Sequence, residues 1–350
     1  MKYLLAGKGF GFWYKAGRPH ALGQSILPYL LGSAIGLSSL LYSQASLPQI
    51  GVGLLLASLG FCGIVLVHLA MNLFDDYFDM RKGAVATREE MHDGGMRARM
   101  GKCFYLKDGS VALEDVRRIA TVFLVIASLL ALLILALRGW EILIFAAITL
   151  VLGLAYAGPP LRLSYRGFGE LAVGIIFGPI LVTASSFVVA GTLTSLAFWV
   201  AFPIGLLVAN IVNTHAIMDF DPDKAADRMT FPILLGSEKA GFIAGVIMVT
   251  LAYDIVIAGV LLGQLPLASL GVFLTIPLAI SFFRLLWRYI VHKDTEAPFT
   301  PRFWLGPFGD WEAIVDSERD WFFSRWKMAR NLVMFFTWIL ALAALTPWYL

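Results

Sequence analysis

The chain has 350 residues, of which 59% are hydrophobic and 15% charged, with a formal net charge of +3. Soluble domains carry about 25% charged residues, so this composition excludes a soluble globular fold and points to an all-α polytopic membrane protein. The two cysteines, Cys62 and Cys103, have neither metal nor redox spacing and give no disulfide framework.

Residues 1–21 form a polar, basic lead-in without the pattern of a cleaved signal peptide. Nine apolar segments follow, at 22–42, 51–74, 119–137, 141–158, 171–190, 196–214, 240–262, 266–288 and 329–349. A crossing needs about 20 residues, so all nine are read as transmembrane helices, the shorter ones near the lower limit. Of the 27 Lys and Arg, all but Arg138 lie before the first segment, after an even-numbered one, or at the end of one. Basic residues concentrate on the cytoplasmic side, so the N-terminus is expected in the cytoplasm and the C-terminus outside. One domain is expected over 1–350, with cytoplasmic insertions at about 80–118 and 289–328. Both are too long to be turns. They are solvated loops or, for 80–118, a lid growing out of the acidic stretch before it.

That stretch is His68-Leu-Ala-Met-Asn72-Leu-Phe-Asp75-Asp76-Tyr-Phe-Asp79. Asn72, Asp75, Asp76 and Asp79 sit at i, i+3, i+4 and i+7, which is one face of a helix. Carboxylates at the end of a membrane-length helix are costly and mark a functional candidate. A second cluster, Asn213-Thr-His215-Ala-Ile-Met-Asp219-Phe-Asp221-Pro222-Asp223, closes the sixth span. There His215, Asp219 and Asp223 repeat the spacing of His68, Asn72 and Asp76. Pro222 removes a helix hydrogen bond, so the helix ends or bends near Asp219. Facing carboxylates repel unless a cation lies between them. Their oxygens suit Mg²⁺, which takes a few carboxylates together with phosphate oxygens. A Mg²⁺-bridged diphosphate fits this arrangement. A cation-coupled transporter is the rival reading, since it too uses intramembrane acids, but the chain shows no pair of Gly/Pro-broken short spans to support it.

Between the clusters lies Tyr156-Ala-Gly-Pro-Pro-Leu-Arg162-Leu-Ser-Tyr165-Arg166-Gly-Phe-Gly-Glu170. Arg162 and Arg166 on a Pro/Gly-fixed turn either clamp phosphate oxygens or merely mark the basic side of the membrane. Asp254, inside the seventh span, is expected to pair structurally with a neighbouring helix. The tryptophans at 199, 304, 311, 321, 326 and 348 read as interfacial anchors.

Taken together these motifs resemble the UbiA superfamily of intramembrane aromatic prenyltransferases. Asn72-x-x-x-Asp76-x-x-Asp79 resembles the first Asp-rich motif and Asp219-x-x-x-Asp223 the second. Arg18-Pro19-His20, the Tyr156–Glu170 loop with Phe177-Gly178-Pro179, and Asp223 through Leu235-Gly236 are most similar to the 1,4-dihydroxy-2-naphthoate polyprenyltransferases of menaquinone synthesis. The chain departs from that pattern at Asp75, where Asn is usual, at Gly83-Ala84-Val85, which lacks an acid, at Asp227, where Gly is usual, and in the length of 80–118. The resemblance implies a bundle of nine helices in the bacterial cytoplasmic membrane with a cytoplasmic site. It implies Mg²⁺ on Asp76, Asp79, Asp219 and Asp223, with Arg162, Tyr165 and Arg166 holding the diphosphate. Asn72, Asp75, Tyr156, Arg18, His68, Asn213 and His215 are the expected substrate contacts. The expected partners are a polyprenyl diphosphate, an aromatic acceptor and membrane lipid, with no nucleic acid. Another acceptor, or a terpene cyclase with none, would use the same motifs.

Overall fold

The computed structural model describes residues 7–83, 85–87, 90, 103–293 and 299–346. Among them there is no strand, only an isolated bridge between Arg166 and Met229. The apolar helices are α1 Gly23–Tyr42, α2 Leu47–Lys82, α3 Leu113–Arg138, α4 Glu141–Ala157, α5 Gly169–Ala190, α6 Ser195–Met218, α7 Glu238–Leu261, α8 Leu267–His292 and α9 Asp320–Ala344. Eight are long and apolar enough to cross a membrane, and α4, of 17 residues, is the shorter one. The chain is an integral membrane protein.

The helix that carries the first acidic cluster does not stop at the end of its apolar stretch. It runs unbroken for 36 residues, about 54 Å at 1.5 Å per residue. That exceeds the roughly 30 Å hydrocarbon layer, so the helix is longer than a perpendicular crossing needs. Its ends are specified locally. The Ser46 N–H donates to the Gln49 side chain at 2.8 Å, and Gly83 closes the helix in the left-handed conformation (φ 79°). The second acidic helix, α6, ends at Met218, and a separate short helix, Phe220–Ala225, carries Pro222.

Small residues let the central helices approach closely. A Cβ on Gly36 of α1 would lie 2.6 Å from the Ser186 carbonyl oxygen of α5. One on Gly205 of α6 would lie 2.6 Å from the Gly174 carbonyl oxygen. In lipid, where apolar burial gives helices little reason to associate, such backbone contact is a main source of packing energy. Helix α5 contains a π turn at Ile176–Ile180 that includes Pro179. Proline has no N–H to give the helical ladder, and a wider turn accommodates the gap.

Two apolar cores flank this centre. One joins α6 to α9 through residues such as Val208, Val256, Phe282, Leu332 and Phe336. The other joins α2 and α3 to segments outside the bundle, through Leu69, Phe123, Trp13 and Tyr105. Residues 299–319 are largely exposed but are pinned to the bundle, and 320–328 already belong to α9. Leu305 and Phe308 are buried in the α6–α9 core, and the rings of Phe299, Phe308 and Trp311 lie 5.2 to 5.4 Å apart. Trp321 and Trp326 are buried there as well, rather than anchored at an interface. Asp254 is exposed on α7 and has no ion pair among the described residues, so its expected structural partner is not found. Of the lid expected over 80–118, residues 84, 88–89 and 91–102 lie outside the described residues.

Candidate active site

The N-terminal segment and the 2–3, 4–5 and 6–7 connections converge on the acidic end of α2. Asp76 is 1% exposed, Asp79 2%, Asp219 2%, Asp223 3% and Asp75 9%. Buried carboxylates are tolerated only when they are paired, and the partners come from all four segments. Arg18 Nη2 lies 3.1 Å from Asp75 Oδ2 and 3.3 Å from Asp76 Oδ1. The Tyr105 hydroxyl donates to Asp76 Oδ2 at 2.8 Å. The Tyr165 hydroxyl donates to Asp79 Oδ1 at 2.5 Å. Arg228 Nη1 stands 3.7 Å from Asp79 Oδ2, and His215 Nε2 stands 3.2 Å from Asp219 Oδ2.

Local structure explains how each group is delivered. Arg18 adopts a left-handed conformation (φ 59°) ahead of Pro19, and its Nη2 donates to the Asn72 carbonyl oxygen at 2.9 Å. Asn72 Nδ2 in turn donates to the Gly17 carbonyl oxygen at 2.8 Å. Asn72 therefore clips the basic segment onto α2 and acts on the carboxylates through Arg18. Tyr165 sits in a one-turn 3-10 helix after Arg162. Its ring lies 4.0 Å beneath Lys82 Nζ and 5.3 Å from the Arg228 guanidinium. Arg228 Nε donates to the Ser164 carbonyl oxygen at 3.4 Å. Lys82 Nζ donates to the Asp227 carbonyl oxygen at 2.9 Å. Asp227 is left-handed (φ 50°), a conformation that favours Gly and that Asp tolerates better than most residues. This accounts physically for the acid at a position where Gly is the expected residue.

Protonation follows from the same contacts. Burial and then the Asp76 charge push the Tyr105 phenol well above its ordinary value. Burial and then Asp79 do the same for Tyr165. Both therefore remain protonated donors. Burial alone would lower the Arg18 and Arg228 pKa values, but their neighbouring carboxylates more than offset it and hold both cations. For Arg228 those neighbours include Asp79 of the first cluster and Asp223 of the second. Five buried aspartates thus gather at one end of the bundle with the part-buried guanidiniums of Arg18 and Arg228 among them.

Some of these groups line one cavity; Asp76, Asp79, Tyr105 and Tyr165 are not among its lining residues. Arg18, Asn72, Asp75, His215, Asp219, Asp223 and Arg228 line it, together with His68, Tyr156 and Glu170. The deeper wall is apolar and is built from Ile64, Val67 and Met71 of α2, Gly153 of α4, and Val173 and Phe177 of α5. From Asp75 to Ile64 the cavity follows α2 for about 17 Å. His68 Nδ1 is 2.9 Å from Ser25 Oγ, and its ring packs 5.7 Å from Phe177.

Some expected contacts do not reach the cavity. Arg162 and Arg166 are exposed and do not line it. Asn213 is fully buried, but its Nδ2 donates to the Gly241 carbonyl oxygen of α7 at 2.9 Å. Conversely, sequence reasoning passes over Arg228, Glu170 and Tyr105. In the sequence Arg228 is one basic loop residue among many. Glu170, 3% exposed, accepts the Phe231 N–H at 3.3 Å; an acid opening an apolar helix is a usable signal. Tyr105 lies in a long insertion with no periodic pattern, and no sequence signal marks it.

The donor set suits a hard divalent cation. Among the described residues no three His, Cys, Asp or Glu side chains converge as a ready-made cage. Mg²⁺ does not need one, because it takes one or two carboxylates and completes its shell with water and substrate phosphate oxygens. The oxygen donors of the gathered carboxylates fit that demand.

The model of the UbiA prenyltransferase family matches residues 27–306. A 1,4-dihydroxy-2-naphthoate octaprenyltransferase of Bacillus subtilis is 30% identical over 223 residues, covering 64% of this chain and 65% of that protein. A 2-carboxy-1,4-naphthoquinone phytyltransferase of Synechocystis is 28% identical over 176 residues, covering 50% of this chain and 56% of that protein. The chain thus spans less than two thirds of the length of each of these relatives. In fold it is similar to a UbiA homologue from Archaeoglobus fulgidus bound to GPP and Mg²⁺, with a TM-score of 0.58 at 13% identity, covering 94% of this chain and 99% of the other. A 36-residue helix tipped with buried aspartates, a second aspartate cluster at the same cavity, and a family match over most of the length lead to one conclusion: the chain belongs to the UbiA prenyltransferase family.

Proposed function

We propose that the protein transfers a polyprenyl group from its diphosphate to an aromatic quinone precursor of the 1,4-dihydroxy-2-naphthoate type. One observation carries this reading. A single cavity joins a mouth of buried carboxylates and arginines to an apolar interior. A substrate with an anionic head and a long hydrocarbon tail matches both ends. The naphthoate and naphthoquinone prenyltransferases among the relatives support the acceptor class. The GPP and Mg²⁺ bound to the Archaeoglobus homologue support the donor and the cation.

In this reading Asp76 and Asp79 on one side and Asp219 and Asp223 on the other hold Mg²⁺. When bound, Mg²⁺ supplies Lewis-acid neutralisation of the diphosphate. Arg18 and Arg228, rather than the exposed Arg162 and Arg166, turn from the carboxylates to the diphosphate oxygens, where planar guanidinium donors give directed hydrogen bonds. Tyr165 keeps Asp79 in place as a proton donor. The donor's C1–O bond breaks and the diphosphate leaves, held by positive charge in a site that excludes bulk water. Phe177 and the apolar wall shield the allylic cation from water, and aromatic faces favour such a cation. The acceptor ring lies beside Tyr156, His68 and Glu170. Its ring carbon bonds to C1, and the carboxylate on that carbon leaves as carbon dioxide. The proposal includes nine crossings with α4 as the fourth, a cytoplasmic N-terminus and a cytoplasmic site, on the strength of the basic-residue asymmetry.

The test is mass spectrometry of products from the purified protein, Mg²⁺ and a polyprenyl diphosphate, with and without dihydroxynaphthoate. A prenylated, decarboxylated naphthol is expected. Cyclised hydrocarbon without acceptor would replace this reading with a cyclase. No donor consumption with any aromatic acceptor would overturn it and leave a transporter, to be decided by flux in proteoliposomes.

A further inference from the structure

Asp76 is gripped from two sides by segments that lie outside the helix bundle, the N-terminal lead-in and the 2–3 insertion. On one side, the helix Phe10–Ala16 leads into Arg18, which approaches Oδ1 at 3.3 Å. On the other, the one-turn helix Phe104–Lys107 brings the Tyr105 hydroxyl to Oδ2 at 2.8 Å. The two segments pack on each other. The Tyr105 ring meets Trp13 edge-on at 6.3 Å and Phe12 at 6.1 Å. Tyr105 is 1% exposed and Trp13 fully buried, so this is an interior joint. Cys103, just before the turn, directs its Sγ to the Asp76 carbonyl oxygen at 3.9 Å. Backbone and side chain of Asp76 thus both meet the 103–105 segment, which is the far anchor of the long 2–3 insertion.

We infer that Tyr105 is a positioning residue for the metal–diphosphate site: its hydroxyl holds the Asp76 carboxylate by Oδ2 in the orientation in which it would bind a cation. The inference rests on the reading of Asp76 as a metal ligand. A ligand carboxylate is itself usually oriented by a hydrogen bond, and loss of such a partner typically costs 10–100-fold in metal affinity or activity. A purely structural tyrosine would instead show its loss in folding. Burial of the ring is retained by phenylalanine, so Tyr105→Phe removes the hydroxyl alone.

The experiment uses the full chain in lipid nanodiscs. Mn²⁺ binding is read by electron paramagnetic resonance in the presence of an unreactive prenyl thiolodiphosphate, and Mg²⁺ half-saturation is read from turnover. Tyr105→Phe is expected to weaken Mn²⁺ binding and raise the Mg²⁺ half-saturation about 10-fold, with a much smaller change in kcat at saturating Mg²⁺ and an unchanged melting temperature. Wild-type values for both metal readouts would overturn the inference. So would a loss of kcat that Mg²⁺ does not restore, together with a lowered melting temperature. Asp76→Asn, run alongside, separates the levels. If it loses Mn²⁺ while Tyr105→Phe does not, only the role of Tyr105 fails. If it binds Mn²⁺ as the wild type does, the metal assignment of Asp76 fails and takes this inference with it.

Discussion

Arg228→Gln tests the division of labour among the arginines. Arg228 Nη1 stands 3.7 Å from Asp79 Oδ2 in a site where the arginine side chain is 12% and the aspartate 3% exposed. At an effective dielectric of about 20 this pair is worth about 4.5 kcal/mol of attraction before desolvation is counted. Its removal takes one positive charge from among the buried carboxylates. Glutamine can still donate to the Ser164 carbonyl oxygen that Arg228 Nε now contacts at 3.4 Å, so the 6–7 connection keeps a tether. The greater loss falls on the reaction. Removing one donor that stabilises developing negative charge lowers turnover by about 10²–10³-fold. The assay is initial-rate kinetics with prenyl diphosphate and dihydroxynaphthoate, paired with a thermal melt. Arg228→Gln is expected to lose at least about 100-fold in kcat/KM, and Arg228→Lys to recover little of it, because a lysine lacks the planar fork. Arg162→Gln and Arg166→Gln, on exposed residues, are expected to stay within about threefold of wild type, since exposed charges contribute little. An Arg228→Gln enzyme at wild-type kcat/KM, or a collapse of activity in Arg162→Gln, would refute the reasoning.

Two further outcomes test the fold. Asp227→Gly removes a left-handed non-glycine residue at φ 50° and an ion pair to Lys82 at 3.7 Å whose aspartate is fully exposed; the relief of backbone strain offsets the pair. The melting temperature should hold or rise, and a clear fall would contradict the backbone account. Gly178→Ala places a Cβ 2.5 Å from the Ala201 carbonyl oxygen. Overpacking of about 1–3 kcal/mol follows, read as a lower melting temperature, and an unchanged one would show that α5 and α6 are not in backbone contact.

Much of this architecture is legible in the residues. Hydropathy finds the helices because lipid demands about 20 apolar residues in a row. Helical periodicity alone brings Asn72, Asp75, Asp76 and Asp79 onto one face through their i, i+3, i+4, i+7 spacing. The same periodicity separates Asn213 from the second cluster. It lies six residues before Asp219, about 120° round the helix, while His215 at i−4 shares the acid's face. Accordingly Asn213 turns to Gly241 and His215 to Asp219. The arginines are not separable in this way. Arg162, Arg166 and Arg228 all occupy short polar connections, and only the three-dimensional path of the chain buries one and exposes the others. Tyr105 is the extreme case, because its contact with Asp76 spans 29 residues and depends on how an aperiodic insertion returns to the bundle. The 299–328 segment misleads for another reason. Its aromatic residues have the composition of membrane anchors, whereas Phe308, Trp321 and Trp326 are buried in the α6–α9 core.

The central claim is that two aspartate clusters, far apart in sequence, form one Mg²⁺–diphosphate site. It is tested most directly by product formation from a polyprenyl diphosphate and dihydroxynaphthoate in Asp76→Asn and Asp219→Asn, each with Mg²⁺ titrated and folding checked by thermal melt. The account predicts that either substitution alone nearly abolishes Mg²⁺-dependent turnover in a protein that still folds. Full activity in either one would contradict it.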